Sequence, residues 1–129
     1  MLTIDPTHTA LKCRVQDYFK TLNAGNYYDT SLLFAPSGRL VPPFEEAVQG
    51  QDAIAHYLSH EAIEITCQPK TVEVVAHDRV TVQGVVQTPW FKVNATWQFS
   101  FTADQLIEQV QIELVASLQE LLTFQPQAA

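Results

Sequence analysis

Positive charge is scarce in this chain. Seven Lys and Arg stand against fourteen Asp and Glu, a formal charge of −7 over 129 residues. Phosphate binding needs a basic surface, so this balance opposes nucleic acid as a partner. The same balance opposes tight electrostatic attachment to anionic membrane. Long apolar runs are also missing: no stretch could span a bilayer, and the opening MLTIDPTHTALK has no signal-peptide pattern. There are only two cysteines, Cys13 and Cys67, with no C-x-x-C spacing and no second pair. The expectation is a cytoplasmic protein with reduced thiols, both on apolar faces and inert, a redox or disulfide role for Cys67 being the alternative. No G-x-S-x-G, glycine-rich phosphate loop or HExxH order occurs. Internal repeats and low-complexity segments are absent as well.

What is present fits one globular domain over residues 1–129, with a hydrophobic fraction of 47% and a charged fraction of 16%. Residues 93–102, VNATWQFSFT, alternate strictly: Val93, Ala95, Trp97, Phe99 and Phe101 are apolar and the residues between them polar. Strand side chains point alternately to opposite faces, so this is a half-buried strand with an aromatic inner side. Ahead of it, Asp5-Pro6 reads as a helix start and Gly25 as its stop, with Leu11, Val15, Tyr18/Phe19 and Leu22 at helical spacing. Residues 26–34 predict a second helix. Pro36-Ser37-Gly38 reads as a turn into a short strand, Arg39-Leu40-Val41, closed by Pro42-Pro43. Asp52 is placed to cap a third helix with Ile54, Leu58 and Ala62 inward and Tyr57 beside them. Strands follow over residues 71–76, from Val80 to Val86, and from Leu106 to Val115, where Val110, Ile112 and Leu114 share a face. Three helices followed by an antiparallel meander define an α+β domain, a cone with an apolar cavity at its open end.

Tyr18, on the inner face of the first helix, and Trp97, on the inner face of a central strand, each bring a hydrogen-bond donor to an apolar wall. Two such donors converging on a cavity suit a carbonyl oxygen; alternatively each bonds a backbone carbonyl within the core. His56 and His60 stand four apart with Glu61 and Glu64 nearby, a spacing open to metal but read here as a solvated helix face. An enolising enzyme would need an inward carboxylate. None of the inward positions holds one, and Asp29 is the least poor candidate, so catalysis is disfavoured and a non-enzyme is expected.

Four strings carry a family resemblance: Tyr18-Phe19-Lys20-Thr21-Leu22-Asn23-Ala24-Gly25, Pro42-Pro43-Phe44, Val86-Gln87-Thr88-Pro89-Trp90-Phe91, and Leu114-Val115-Ala116-Ser117 running on to Glu120-Leu121-Leu122. In this order they resemble the C-terminal domain of the cyanobacterial orange carotenoid protein family. The resemblance implies the nuclear transport factor 2-like cone, N-terminal helices packed on a curved antiparallel sheet. It implies that Tyr18 and Trp97 hydrogen-bond the keto oxygen of a ketocarotenoid such as canthaxanthin or echinenone. It implies an apolar pocket from Leu22, Ile65, Cys67, Pro89, Trp90, Phe91, Ile112 and Leu114. A short tail from about Ser117 to Phe124 would cover or leave the cavity mouth.

The family's helical N-terminal carotenoid domain has no counterpart in these residues. The resemblance therefore implies a stand-alone homologue that binds carotenoid as a homodimer and hands it to helical N-terminal-domain-type carotenoid proteins. A photoprotective or antioxidant role and transient membrane contact for pigment uptake go with it. Glu61 matches a glutamate that pairs with an arginine of that missing domain and is expected to be free. A ketosteroid-isomerase-like enzyme and a non-catalytic dimerisation module are the alternatives.

Overall fold

The computed structural model describes residues 5–115. The tail expected from Ser117 to Phe124 lies outside them. Helix α1 (Pro6–Asn23) starts where the Asp5 carboxylate accepts the Thr7 N–H at 2.9 Å and proline occupies the first position, whose N–H would have no partner in the helix. It stops at Gly25, whose φ of 78° a residue with a side chain rarely adopts. Leu11, Val15, Tyr18, Phe19 and Leu22 form its buried stripe, as their spacing predicts.

Helix α2 (Tyr27–Leu32) is shorter than expected, because Phe34 already opens strand β1 (Phe34–Val41). Pro36-Ser37-Gly38 is therefore part of a strand and not a turn. Local residue preference loses here to long-range pairing: β1 lies parallel to β6 (Ile107–Val115), with a shift in register between Phe34 and Arg39 that absorbs the proline. Gly38 is packed so closely that an added Cβ would stand 2.9 Å from the Ile107 carbonyl oxygen. A two-residue strand, β2 (Val48–Gln49), borders β1.

Helix α3 (Gln51–Glu61) is capped at Gly50, not Asp52. The Gly50 N–H donates to the Gly38 carbonyl at 2.8 Å and the Gln51 amide donates to the Phe34 carbonyl at 2.8 Å, so the helix start is tied to β1. Strands β3 (Thr66–Ala76), β4 (Arg79–Gln87) and β5 (Lys92–Phe101) then run antiparallel to one another and to β6. β3 begins five residues before the expected Thr71, passing through Pro69 by way of a bulge.

The sheet has the order β2-β1-β6-β5-β4-β3 and is mixed because of the β1–β6 pair, where an antiparallel sheet was expected. Irregularities in the β1–β6, β3–β4 and β5–β6 ladders bend it, since each extra residue increases local twist. Helices lie on the concave side of this curved, unclosed sheet. Ala95, Trp97, Phe99 and Phe101 of β5 join Leu11, Val15, Phe19, Ile54 and Val110 in the core between the layers. Each large side chain buried there contributes roughly 1.5–3 kcal/mol.

Candidate functional site

One end of this core is not filled. A cavity of about 280 Å³ opens between α1, α3 and the concave face of the sheet. Tyr18 reaches it from α1, and its ring is held edge-on by Phe19 (5.1 Å between centroids), by Phe99 (5.1 Å) and by Phe34 (6.3 Å). Its hydroxyl is buried without a hydrogen-bond partner, a state found for no other buried side-chain oxygen or nitrogen among the described residues. Such an orphan costs about 1–3 kcal/mol. Burial, and secondarily the neighbouring Cys67 thiol, push its ionisation well above the usual tyrosine range, so it stays an O–H donor.

Trp97 lines the same cavity from the middle of β5, between Val82 of β4 and Ile112 of β6, with the Phe19 ring packed edge-on at 5.0 Å. Opposite α1, Cys67 is buried and its thiol is pushed up to about 12 by burial, which makes it a poor nucleophile. Cys13, by contrast, is exposed and not on an apolar face as expected. Both cysteines are free.

Of the residues expected in the apolar pocket, Leu22, Ile65, Cys67, Phe91, Ile112 and Leu114 line the cavity with Tyr18 and Trp97. Pro89 and Trp90 are not among the residues that line it. They sit in a tight turn in which the Thr88 hydroxyl accepts the N–H groups of Trp90 (3.2 Å) and Phe91 (3.1 Å). In that turn Phe91 borders the cavity while still half-exposed, and Trp90 is 82% exposed.

The mouth holds residues that periodicity did not reveal. Pro42, Pro43 and Glu45 border it on one side, Thr88 and Phe91 on another, Tyr57 and Glu61 on a third. The Tyr57 hydroxyl donates to Glu45 Oε2 at 2.7 Å. Burial first, then this bond and the charges of Glu45 and Glu61, raise the Tyr57 ionisation. Between Pro43 and Glu45, Phe44 is 93% exposed at a φ of 63°, a backbone state costly for an aromatic residue. No carboxylate occupies the inward sheet positions that line the cavity, but Glu45 of a loop and Glu61 of α3, both exposed, border it. Asp29 does not line the cavity; it borders a separate surface groove with His56.

No helix of the described residues is long and apolar enough to cross a membrane. No group of three or more His, Cys, Asp or Glu among them could hold a metal ion.

No family model matches the chain. The chain is 33% identical over 118 residues to an orange carotenoid-binding protein of Synechocystis, covering 85% of this chain and 37% of that protein. It thus spans a little over a third of the length of that relative. Among solved structures it is similar to the Anabaena (Nostoc) orange carotenoid protein binding canthaxanthin, with a TM-score of 0.73, 34% identity and coverage of 86% of this chain and 38% of that one. A nuclear transport factor 2-like protein of unknown function from Cytophaga hutchinsonii shares the fold alone, with a TM-score of 0.71 at 10% identity over 89% of this chain and 95% of that one.

Proposed function

The chain is homologous to the C-terminal domain of the orange carotenoid protein, and from this we propose that it is a ketocarotenoid carrier that transfers its pigment to other carotenoid proteins and so serves photoprotection. One observation carries the reading: Tyr18 lines an apolar cavity and its hydroxyl is buried with no hydrogen-bond partner. A donor left buried without an acceptor is what a site awaiting a carbonyl oxygen needs. Trp97, which lines the same cavity, brings an indole N–H as the second donor of this reading. Canthaxanthin or echinenone brings a terminal ring with that carbonyl and an otherwise apolar surface that suits Leu22, Ile65, Phe91 and Ile112.

The volume supports a shared ligand. A cavity of about 280 Å³ lies just below the range of ordinary small-molecule sites, roughly 300–1,000 Å³. It takes a ring and a short part of the polyene, and the rest must leave through the mouth. Exposing that length costs about 25 cal/mol per Å². A second copy, mouth to mouth, removes the exposure, and a twofold homodimer is the commonest arrangement. Exposed Phe44 and Trp90 beside the mouth suit such a contact, and equally a transient touch on a membrane during pigment uptake. Helical carotenoid domains are the acceptors that this reading implies.

Glu45 and Glu61 at the mouth favour a second reading, a ketosteroid-isomerase-like enzyme with Tyr18 as the oxyanion donor and a glutamate as the base. Production in cells making canthaxanthin or echinenone separates the two. A red-shifted pigment eluting at dimer size, with the shift lost in Tyr18→Phe and Trp97→Phe, supports the carrier. A colourless monomer from pigment-rich cells sinks it and leaves the enzyme.

A further inference from the structure

Helix α3 turns Tyr57, Leu58 and Glu61 toward the cavity and a different pair of side chains outward. His56 and His60, one helical turn apart, bring their rings to 4.3 Å between centroids at an interplanar angle of 41°. Both are exposed. The His60 Nδ1 lies 2.8 Å from the His56 carbonyl oxygen. A carbonyl only accepts, so Nδ1 carries the proton and the lone pair is on Nε2. Ser59 fixes the same tautomer: its hydroxyl donates to the His56 carbonyl at 2.8 Å and lies 3.1 Å from His60 Nδ1, from which it accepts. An N–H to a backbone carbonyl, with the opposite nitrogen bare, is how a metal-ligating histidine is oriented.

We infer that His56 and His60 form a two-histidine chelate for a divalent transition-metal ion in the surface groove of α3 that adjoins, but lies outside, the pigment cavity. Imidazole nitrogens suit Cu²⁺, Ni²⁺ and Zn²⁺, and Cu²⁺ binds tightest in that series. Asp52 and Glu61 border the same surface groove and add negative potential. They are not part of a three-ligand set, since no such group exists among the described residues. Water completes the coordination. The two rings lie 4.3 Å apart one turn from each other on one helix, so binding of the second imidazole is an intramolecular event, and the chelate exceeds either imidazole alone.

The test is titration of untagged, pigment-free protein with Cu²⁺, followed by calorimetry and by electron paramagnetic resonance. One Cu²⁺ per chain with two coordinated nitrogens is expected. His56→Asn and His60→Asn should each weaken it at least about tenfold, with the circular dichroism spectrum unchanged. His8→Asn and His77→Asn, at the remaining two histidines, should leave affinity as it was. Unchanged binding in either α3 variant overturns the site, as does an equal loss in the His8 or His77 variant.

Discussion

Asn23 and Cys67 exchange two hydrogen bonds across 44 positions of sequence. The Asn23 amide donates to the Cys67 carbonyl at 2.8 Å, and the Cys67 N–H donates to Asn23 Oδ1 at 2.9 Å. The last residue of α1 is thereby fastened to the second residue of β3, so that Leu22 and Cys67 face the cavity at a set separation. Asn23→Ala removes both bonds and leaves backbone groups of Cys67 unpaired. A loss of about 2–3 kcal/mol follows, or about 8–12 °C in melting temperature for a domain of this size. Thermal unfolding followed by circular dichroism measures it, and a change below about 2 °C would show that the clamp does not hold the cavity wall.

Burial of Cys67 sets an alkaline limit on stability. The thiol's folded value of about 12 lies above its ordinary 9.0. A group whose folded pKa is raised contributes its full stability below the unfolded value and loses it as pH rises toward the folded one. Stability should therefore fall from about pH 9 toward pH 12, with the buried Tyr18 adding to the fall at its upper end. Denaturant titrations at pH 8 and 10.5 should show a smaller pH-dependent loss in Cys67→Ala than in the parent. At pH 8 a thiol reagent should modify the exposed Cys13 rapidly and Cys67 only on unfolding; rapid reaction of both would contradict the burial of Cys67.

The inner face of β5 and the buried stripe of α1 were legible because each is a single-period pattern. Ala95, Trp97, Phe99 and Phe101 alternate, and Leu11, Val15, Tyr18 and Leu22 recur once per turn. Partners distant in sequence were not legible. Pro36-Ser37-Gly38 has the chemistry of a turn, and only its parallel neighbour β6 makes it a strand. The placement of Trp90 outside the cavity depends on the Thr88 hydroxyl bonds, which tighten the turn. Tyr18 and Trp97 could be named from the sequence, but whether their donors were already used could not. For Tyr18 the structure answers that question, since no acceptor reaches its hydroxyl.

Gly84 faces the bulged part of β3, where a Cβ would collide with the Gln68 carbonyl oxygen and stand 2.9 Å from Pro69 Cα. Both obstacles are backbone and cannot rotate away. Gly84→Ala should force the β3–β4 pair apart and cost about 1–3 kcal/mol or more. Cys67 lies on that strand, so pigment binding should weaken as well. A Gly84→Ala protein with parental melting temperature would rule out this close approach.

Tyr57 and Glu45 hold the loop of Phe44 to α3 through one bond at 2.7 Å. Tyr57→Phe removes it without opening the core, and for an exposed pair the loss in global stability should stay near 1 kcal/mol or less. The local effect should be larger. Hydrogen exchange in residues 42–47 should accelerate while that of β5 stays as it was. Equal exchange in that segment would show that the bond does not restrain the mouth.

Tyr18→Phe should act in opposite directions on stability and on binding. In the pigment-free protein the hydroxyl is buried and unpartnered, so its removal relieves a desolvation cost of about 1–3 kcal/mol. The edge-on contacts with Phe19 and Phe99 at 5.1 Å need only the ring and survive the change. The variant should thus melt about 4–12 °C higher without pigment. With a ketocarotenoid it should bind more weakly and absorb to the blue of the parent, because one donor to the carbonyl is gone. A residue kept at a cost to the fold and needed for the ligand has this double signature. A merely structural tyrosine would show the reverse, a destabilised protein with an unchanged spectrum, and that result would remove Tyr18 from the site.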